Sequence, residues 1–203
     1  MLQYILTQSD TYSIAELAQM AIEGGCSWIT LHLPGMDAAD IKAALTDGGV
    51  IDMCREYGTF LTVDDRPEVA TDLGLHGVRL SLGYFAANPG ATPMSMREQL
   101  GPEAVIGIEC ADASAVAPMA PADIDFVTIP ASADNDRRRA FVEAVRAAGC
   151  ATPVVAEGDF DTEDIAAVMA TGVSGIATGA RITAAADPVA ATASILTLLS
   201  PDD

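Results

Sequence analysis

The sequence predicts an α/β fold, a (β/α)8 TIM barrel that forms a single domain over residues 1–203. Three observations lead to this prediction. Eight short apolar segments follow one another along the chain, helix-like stretches lie between most of them, and half of the residues are apolar in a chain long enough for one substantial core. A doubly wound open sheet is the alternative that the same pattern allows.

The eight segments have the composition of strands buried in a parallel sheet. They are short, apolar and mostly rich in β-branched or aromatic residues, and Gly, Pro or charged residues interrupt them. In chain order they are QYILT (3–7), SWITLHL (27–33), TFLTV (59–63), HGVRL (76–80), AVIGI (104–108), IDFVTI (124–129), TPVVA (152–156) and SGIAT (174–178).

The stretches between the strands carry helix start and stop signals. Several begin with Ser, Asp or Pro and end at Gly, as capped helices do. They are SIAELAQMAIEGG (13–25), DAADIKAALTDGGVIDMCREYG (37–58), DRRRAFVEAVRAAG (136–149) and DTEDIAAVMATG (161–172), with PEVATDLG (67–74) and DASAVAPMA (112–120) as shorter candidates.

One connection departs from this pattern. The stretch GYFAANPGATPMSMR (83–97) contains glycines, an asparagine and two prolines, which are typical of turns and loops. We therefore expect a loop here that lies over the mouth of the barrel.

The charge of the chain makes polyanionic partners improbable on physical grounds. The sequence has 29 acidic and 10 basic residues, a formal charge of −19, and Lys42 is its single lysine. Nucleic acids and anionic membrane surfaces are bound through clustered Lys and Arg, and the Arg137–Arg139 run follows Asp134 and Asp136. We expect no nucleic-acid partner and no membrane partner.

The cysteines and the apolar runs indicate a cytoplasmic location. Cys26, Cys54, Cys110 and Cys150 lie far apart and form no CxxC pair, so they are expected to be buried thiols in a reducing compartment. No apolar run reaches 18 residues, and the first ten residues have neither a basic flank nor a small-residue cleavage site.

Polar residues at the predicted carboxyl ends of the strands mark a candidate site. Active sites of (β/α)8 barrels lie at this end, so we expect a small-molecule site there. The polar ring comprises Thr7, Gln8, Thr30, His32, Asp64, Asp65, Arg79, Ser81, Glu109, Cys110, Thr128, Pro130, Glu157, Gly158, Thr178 and Gly179.

Two glycines indicate where a phosphate group could bind. Gly158 follows the seventh strand, and Gly179 follows the eighth at the start of a possible short helix. In barrels this pair of loops commonly holds phosphate on backbone N–H groups, and Arg181 could add a positive charge. The alternative is that both glycines serve tight turns, since Glu157 and Asp159 would repel an anion.

Taken in order, several segments resemble the thiamine-phosphate synthase family, which includes thiazole tautomerases. The resemblance covers nearly the whole chain and rests on AIEGGCSWITLHLPG (21–35), GTFLTVDDRPEVATDLGLHGVRLS (58–81), AVIGIECAD (104–112), ADIDFVTI (122–129), PVVAEGDF (153–160) and TGVSGIATGARI (171–182). It implies a (β/α)8 barrel, usually dimeric. In the synthase, this barrel joins a pyrimidine pyrophosphate to a thiazole phosphate with loss of magnesium-bound pyrophosphate.

The resemblance also implies roles for individual residues. Asp65 matches the family's Mg²⁺ ligand, with Asp64 in place of the preceding Asn. Gly158, Thr178 and Gly179 match its phosphate cradle. Together with the polar ring, these matches lead to three assignments. The catalytic residues are His32, Asp64 and Glu109, and the Mg²⁺ ligand is Asp65. The residues that bind substrate or phosphate are Thr30, Arg79, Gly158, Thr178 and Gly179.

Other family positions have changed. Both cations of the family's Q-x-R-x-K-G segment are absent, since Thr30, His32, Pro34 and Gly35 stand there. Gly83 and Tyr84 occupy the region of the second metal-binding Asp, and Ala111 falls where the tautomerases use a histidine. The lysine-containing T-x-T-K grip on pyrophosphate is replaced by residues 130–134.

Three functional hypotheses follow from this mixture. The first is a divergent synthase that acts on a small phosphorylated or heterocyclic substrate with Mg²⁺, as a homodimer if it follows the family. The second is a different barrel enzyme with His32 or Glu109 as the general acid or base. The third is a binding or regulatory paralogue without catalytic activity.

Overall fold

A computed structural model describes residues 1–116 and 123–200, and its strands form a closed barrel. All eight strands are parallel, each pairs with its neighbours in chain order, and the eighth pairs with the first. The prediction of a (β/α)8 barrel is therefore confirmed, and the open sheet is excluded. The strands are β1 Leu2–Leu6, β2 Trp28–Leu31, β3 Phe60–Asp64, β4 Gly77–Ser81, β5 Val105–Glu109, β6 Phe126–Ile129, β7 Val154–Glu157 and β8 Gly175–Thr178.

Helices fill every connection between successive strands in the described residues. They are α1 Ile14–Glu23, α2 Ala38–Asp47, α3 Val50–Tyr57, α4 Pro67–Leu73, α5 Leu82–Ala87, α6 Pro93–Leu100, α7 Ala113–Val116, α8 Asn135–Ala147, α9 Thr162–Met169, α10 Ala180–Thr183 and α11 Pro188–Leu199. Predicted caps are present, for example at Ser13, whose side chain forms a capping box with Glu16 at the start of α1.

The alternation of side chains along each strand creates two separate apolar layers. Ile5, Phe126, Val155 and Ala177 pack together as a small cluster. Their strand neighbours point the other way and join the large core that also contains residues of the helices. Because every strand is covered on both faces, each reads as a nearly continuous apolar run until its carboxyl end.

The predicted helix over 37–58 is divided in two. Gly48 ends α2, and Gly49 then adopts φ +67°, a left-handed conformation that glycine tolerates best, before α3 begins. The paired glycines therefore break the helix internally. The sequence pattern predicted one continuous helical stretch across them.

The expected loop at 83–97 was wrong, because α5 and α6 occupy most of this connection. The hydroxyl of Ser81 accepts a hydrogen bond from the Tyr84 N–H at 3.0 Å and caps α5. Thr92 and Ser95 form a capping box for α6, with Pro93 in its first turn. The turn-forming residues are therefore confined to the short segment 88–92 between two helices.

The remaining connections agree with the prediction in part and include one helix that was not predicted. Of the candidate helix 112–120, residues 113–116 are helical and residues 117–120 lie outside the described residues. The short helix expected after Gly179 is present as α10, whereas α11 was not predicted.

All four cysteines are buried and free, and no helix in 1–116 or 123–200 has the length and apolarity needed to span a bilayer.

Candidate active site

Three cavities open at the carboxyl end of the barrel, and His32 lines two of them. Of these two, we call the larger one, of about 320 Å³, the acidic cavity, and its polar lining is His32, Asp64, Asp65, Arg66, Arg79, Ser81 and Glu109. We call the smaller one, of about 170 Å³, the glycine cavity, and its lining includes Thr7, His32, Glu157, Gly158, Asp159, Thr178 and Gly179. Most of the predicted site residues are thus brought together.

Arg79 lies at the centre of an ion cluster beneath the mouth. Its side chain is only 2% exposed. It donates from Nε to Asp64 Oδ1 at 2.8 Å, from Nη2 to Asp64 Oδ2 at 2.5 Å, and from Nη1 to Glu157. Glu109 Oε2 lies 3.9 Å from Nη2. Burial lowers the pKa of Arg79, but Asp64, Glu157 and Glu109 raise it more, so the guanidinium stays charged.

Asp64 also orients His32. The Nδ1 atom of His32 lies 2.9 Å from Asp64 Oδ2, which leaves Nε2 as the ring nitrogen available to a ligand. This hydrogen bond raises the pKa of His32, and it outweighs the lowering caused by burial. Burial alone raises the pKa of Asp64, but contacts with His32 and Arg79 bring it below the usual value. The contact with Asp64 therefore fixes the orientation of the His32 ring and favours its protonated form.

Glu109 is the least compensated carboxylate of the acidic cavity. Burial raises the pKa of Glu109, the neighbouring Glu157 and Asp64 raise it further, and Arg79 opposes the shift. Its contact with Arg79 is long, at 3.9 Å. Glu109 is thus a carboxyl group with a raised pKa that faces the cavity, where it can exchange a proton with a ligand.

Asp65 has a strained backbone, held by Ser81 on the next strand. Its φ is +50°, the one positive value at a non-glycine residue in the described chain. The carboxylate accepts hydrogen bonds from the Ser81 N–H and from the Ser81 hydroxyl, both at 2.7 Å. Left-handed strain at a residue of this kind is maintained only by surrounding contacts, and it is common at functional sites.

The glycine cavity owes its shape to two close backbone approaches. A Cβ atom at position 179 would lie 2.0 Å from the Ile5 carbonyl oxygen, and one at position 158 would lie 2.7 Å from the Phe160 ring. Thr178 lines the same cavity; its buried Oγ1 has no hydrogen-bond partner among the described residues. Only glycine leaves room at Gly179, and the Thr178 hydroxyl beside it is buried away from solvent.

Thr30 is the predicted site residue that the structure leaves outside both cavities. It is fully buried inside the barrel, where its hydroxyl pairs with Thr62 Oγ1 at 2.8 Å. Glu157 and Ser81 belonged to the predicted polar ring, and Arg66 to the Asp64-Asp65-Arg66 segment after β3, but none of the three was assigned a role. The register of parallel strands could have indicated a role for Glu157, because it ends β7 level with the other carboxylates.

The carboxylates do not form a ready-made metal centre. Within the described residues, no group of three or more His, Cys, Asp or Glu side chains could hold a metal ion. Both oxygens of Asp64 are engaged by Arg79 and His32, and each oxygen of Asp65 accepts one hydrogen bond. Asp65 keeps free lone pairs, so it fits Mg²⁺ as a single protein ligand, with the other ligands coming from substrate and water.

Comparison with known proteins identifies the family. The family model of thiamine monophosphate synthase matches residues 2–182. The chain belongs to the thiamine monophosphate synthase family. It is 31% identical to the thiamine-phosphate synthase of Bacteroides thetaiotaomicron, with 97% of this chain and 96% of that protein covered. To the thiamine-phosphate synthase of Phocaeicola vulgatus it is 30% identical, with 97% of each chain covered. The resemblance read from the motifs is thereby confirmed.

A solved structure of the same architecture supports the fold of this family member. Thiamine phosphate pyrophosphorylase from Pyrococcus furiosus superposes with a TM-score of 0.79, at 23% identity, over 97% of this chain and 94% of that one. At this identity the likeness establishes the shared barrel. The residue roles in this member of the thiamine monophosphate synthase family depend on its own geometry.

Proposed function

We propose that this protein is a transferase that joins a pyrimidine pyrophosphate to a thiazole phosphate, the reaction that the resemblance implies for the family. The observation that carries the proposal is the position of His32 on the wall of both cavities. One substrate can occupy each cavity, and their reacting atoms then meet beside this ring. Family membership over nearly the full chain supports the proposed reaction.

The reaction exchanges one bond for another without oxidation or reduction. The bond between the pyrimidine's methylene carbon and the pyrophosphate oxygen breaks, and its electron pair leaves with the pyrophosphate. The lone pair of the thiazole nitrogen forms the new bond to that carbon, so the thiazole ring becomes positively charged. Positive charge therefore develops on the joined heterocycles, while negative charge collects on the leaving group.

The surrounding residues suit this separation of charge. Asp64, Glu109 and Glu157 surround a single buried cation, so this wall favours developing positive charge. The contact with Asp64 favours the protonated form of His32, which can donate its proton from Nε2 to an oxygen of the leaving group. Arg79 serves to hold the carboxylates in place, because its guanidinium is already paired with them.

The glycine cavity is the proposed phosphate subsite for the thiazole substrate. Gly158 and Gly179 line this cavity, and neither has a side chain that would fill it. Asp159 also lines this cavity, so the phosphate is expected to be held by backbone N–H groups and hydroxyls rather than by a lysine.

Magnesium belongs to the proposal as a partner of the pyrophosphate. Asp65 would be its one carboxylate ligand, and substrate oxygens and water would complete the coordination, as Mg²⁺ sites often do. The metal would supply positive charge to neutralise the leaving group. The homodimer implied by the family and the cytoplasmic location inferred from the free cysteines are also proposals.

The direct test is product formation from purified protein. The pyrimidine pyrophosphate and the thiazole phosphate would be incubated with the protein, with Mg²⁺ or with EDTA, and thiamine phosphate measured by mass spectrometry. We expect product only when Mg²⁺ is present. A parallel melting experiment separates the alternatives, because a ligand that binds the native state raises Tm.

The outcomes discriminate between the three hypotheses. Product formation supports the synthase. A rise in Tm with either substrate but no product would favour a binding paralogue. If no product forms and neither the pyrimidine pyrophosphate, the thiazole phosphate nor Mg²⁺ shifts Tm, the proposal is overturned. A different barrel enzyme then remains, and unphosphorylated substrates should be assayed.

A further inference from the structure

We propose that Arg66 binds the pyrophosphate group of the substrate in the acidic cavity. The inference rests on the proposed function, because it assigns one end of the pyrimidine substrate to one side of that cavity. It also answers a question raised by the sequence. The positions at which the family carries the two cations of its Q-x-R-x-K-G segment hold His32 and Pro34 here, and a leaving group with several negative charges needs a cation.

The first step concerns the two arginines that line the acidic cavity. Arg79 is 2% exposed and its donors are taken by Asp64 and Glu157, with Glu109 nearby. Its charge is more than balanced by these carboxylates. It can bind a phosphate only by giving up contacts in a buried cluster, which is costly.

Arg66 is in the opposite situation. Its side chain is 33% exposed, and its nearest carboxylate in the described chain is Glu68, with Nε and Oε1 separated by 4.0 Å. The one hydrogen bond from its guanidinium goes from Nη1 to the carbonyl oxygen of Asp65, at 3.1 Å. Most of its donors therefore remain available on the wall of the cavity.

The backbone around Arg66 fixes this cation beside the strained turn. Pro67 follows directly and begins α4, and Asp65 precedes it with φ +50°. Ser81 holds the Asp65 carboxylate by two hydrogen bonds. The turn thus places two complementary groups side by side. The Asp65 carboxylate can be one ligand of Mg²⁺, and the Arg66 guanidinium can donate hydrogen bonds to the oxygens of a pyrophosphate bound to that metal.

The placement also assigns a direction to the substrate. Arg66 and Asp65 line the acidic cavity alone, whereas His32 lines both cavities. With the pyrophosphate against Arg66, the pyrimidine lies towards His32 and the thiazole approaches from the glycine cavity. The carboxylate wall around Arg79 then faces the heterocycles, where positive charge develops.

The test measures binding of inorganic pyrophosphate by calorimetry, with Mg²⁺ present, to the wild-type protein and to Arg66→Gln. We expect Arg66→Gln to bind pyrophosphate at least about tenfold more weakly, as expected for loss of a charged hydrogen bond. Its affinity for thiazole phosphate should remain unchanged. The matched control is Arg139→Gln, which removes an exposed arginine of α8 that lines neither cavity.

Two further variants, Glu68→Gln and Arg66→Lys, test the same assignment if Arg66→Gln alters folding. Glu68→Gln removes the nearest carboxylate from Arg66, so it should strengthen pyrophosphate binding, and Arg66→Lys should retain part of the affinity. The gain from Glu68→Gln should disappear when it is combined with Arg66→Gln. In turnover, Arg66→Gln should raise the KM for the pyrimidine pyrophosphate and leave the KM for thiazole phosphate unchanged.

Two results would overturn the assignment: wild-type affinity for pyrophosphate in Arg66→Gln, or equal weakening of pyrophosphate and thiazole phosphate binding in that variant. The first would leave the synthase proposal intact if product still forms. Conversely, wild-type protein that binds pyrophosphate through Arg66 and makes no thiamine phosphate would sink the proposed function alone.

Discussion

Arg79 holds together residues from several strands at the mouth of the barrel. It is nearly inaccessible to solvent and pairs with Asp64 of β3 and Glu157 of β7, with Glu109 of β5 at 3.9 Å. A buried cluster of this kind depends on every partner, because removal of one leaves uncompensated charge in a medium of low polarity. The same cluster sets the charge seen by a ligand.

We predict that Arg79→Met lowers the free energy of unfolding by about 3–5 kcal/mol, the usual cost of breaking a buried ion pair. Denaturant titration would measure it. Combining Arg79→Met with Asp64→Asn should recover part of the loss, because one stranded carboxylate becomes neutral. A variant as stable as the wild type would contradict the idea that the guanidinium compensates these carboxylates.

The environment of Glu109 makes the free energy of unfolding depend on pH. Its pKa is raised in the folded protein, so folding favours the protonated form. The stabilising contribution is present below the unfolded pKa and is lost as the pH rises through the folded value. At pH 7 to 8 the ionised Glu109 therefore opposes folding.

We expect Glu109→Gln to raise Tm at pH 7 to 8 and to have little effect below about pH 4, where the carboxyl is protonated in both states. The rise should stay below the roughly 2–4 °C that 1 kcal/mol produces in a domain of this size, because the side chain is partly exposed. Glu143→Gln, an exposed position on α8, is the matched control. A Tm that is unchanged at pH 8 would argue against the raised pKa.

At the scale of elements, the junction of β8 and α10 is constrained by β1. Gly179 follows β8, and its Cα faces the backbone of β1 so closely that a Cβ would lie 2.0 Å from the Ile5 carbonyl oxygen. The conformation itself does not demand glycine, since φ is −143°. Space between two paired strands is therefore what excludes a side chain here.

We predict that Gly179→Ala pushes β1 away from the carboxyl end of β8. The free energy of unfolding should fall by at least the roughly 1–3 kcal/mol typical of overpacking. Binding of thiazole phosphate in the glycine cavity should be lost. Thermal melting and calorimetry would measure the two effects. Gly90→Ala is the control, because nothing lies within 4 Å of the Cβ that it adds. Similar behaviour of the two variants would contradict the steric account.

For the whole molecule, the dominant property is the excess of negative charge. A formal charge of −19 on a barrel of 203 residues makes the folded state repel itself. Salt screens such repulsion, with a Debye length of about 10 Å at 0.1 M. Buried pairs such as Arg79 and Asp64 are screened far less.

Accordingly, Tm should rise when sodium chloride is increased from about 10 mM to about 200 mM at pH 7.5, because surface repulsion is screened over that range. The gain should shrink as the pH is lowered towards about 4, where carboxyl groups become protonated. Scanning calorimetry across both series tests this. A Tm that falls with salt would indicate that attractive surface ion pairs outweigh the repulsion.

The sequence alone determined the number and order of the strands and the residues at their carboxyl ends. Eight apolar segments with β-branched residues lie within two residues of the observed strands, because burial on both faces demands such runs. Secondary structure was harder to predict where turn-forming residues and helix-capping residues occur in the same segment. Prolines and glycines at 83–97 suggested a loop, yet Ser81 and Thr92 cap two short helices there.

The tertiary structure decided which rim residues act together. Arg79 and Glu157 are 78 positions apart, and their contact depends on closure of the barrel and on strand register. Register likewise places Ser81 against Asp65 and buries Thr30 below the mouth. A linear pattern specifies which side chains reach the mouth. Ion pairing and free space are properties of distances between strands, and those distances exist only in the closed barrel.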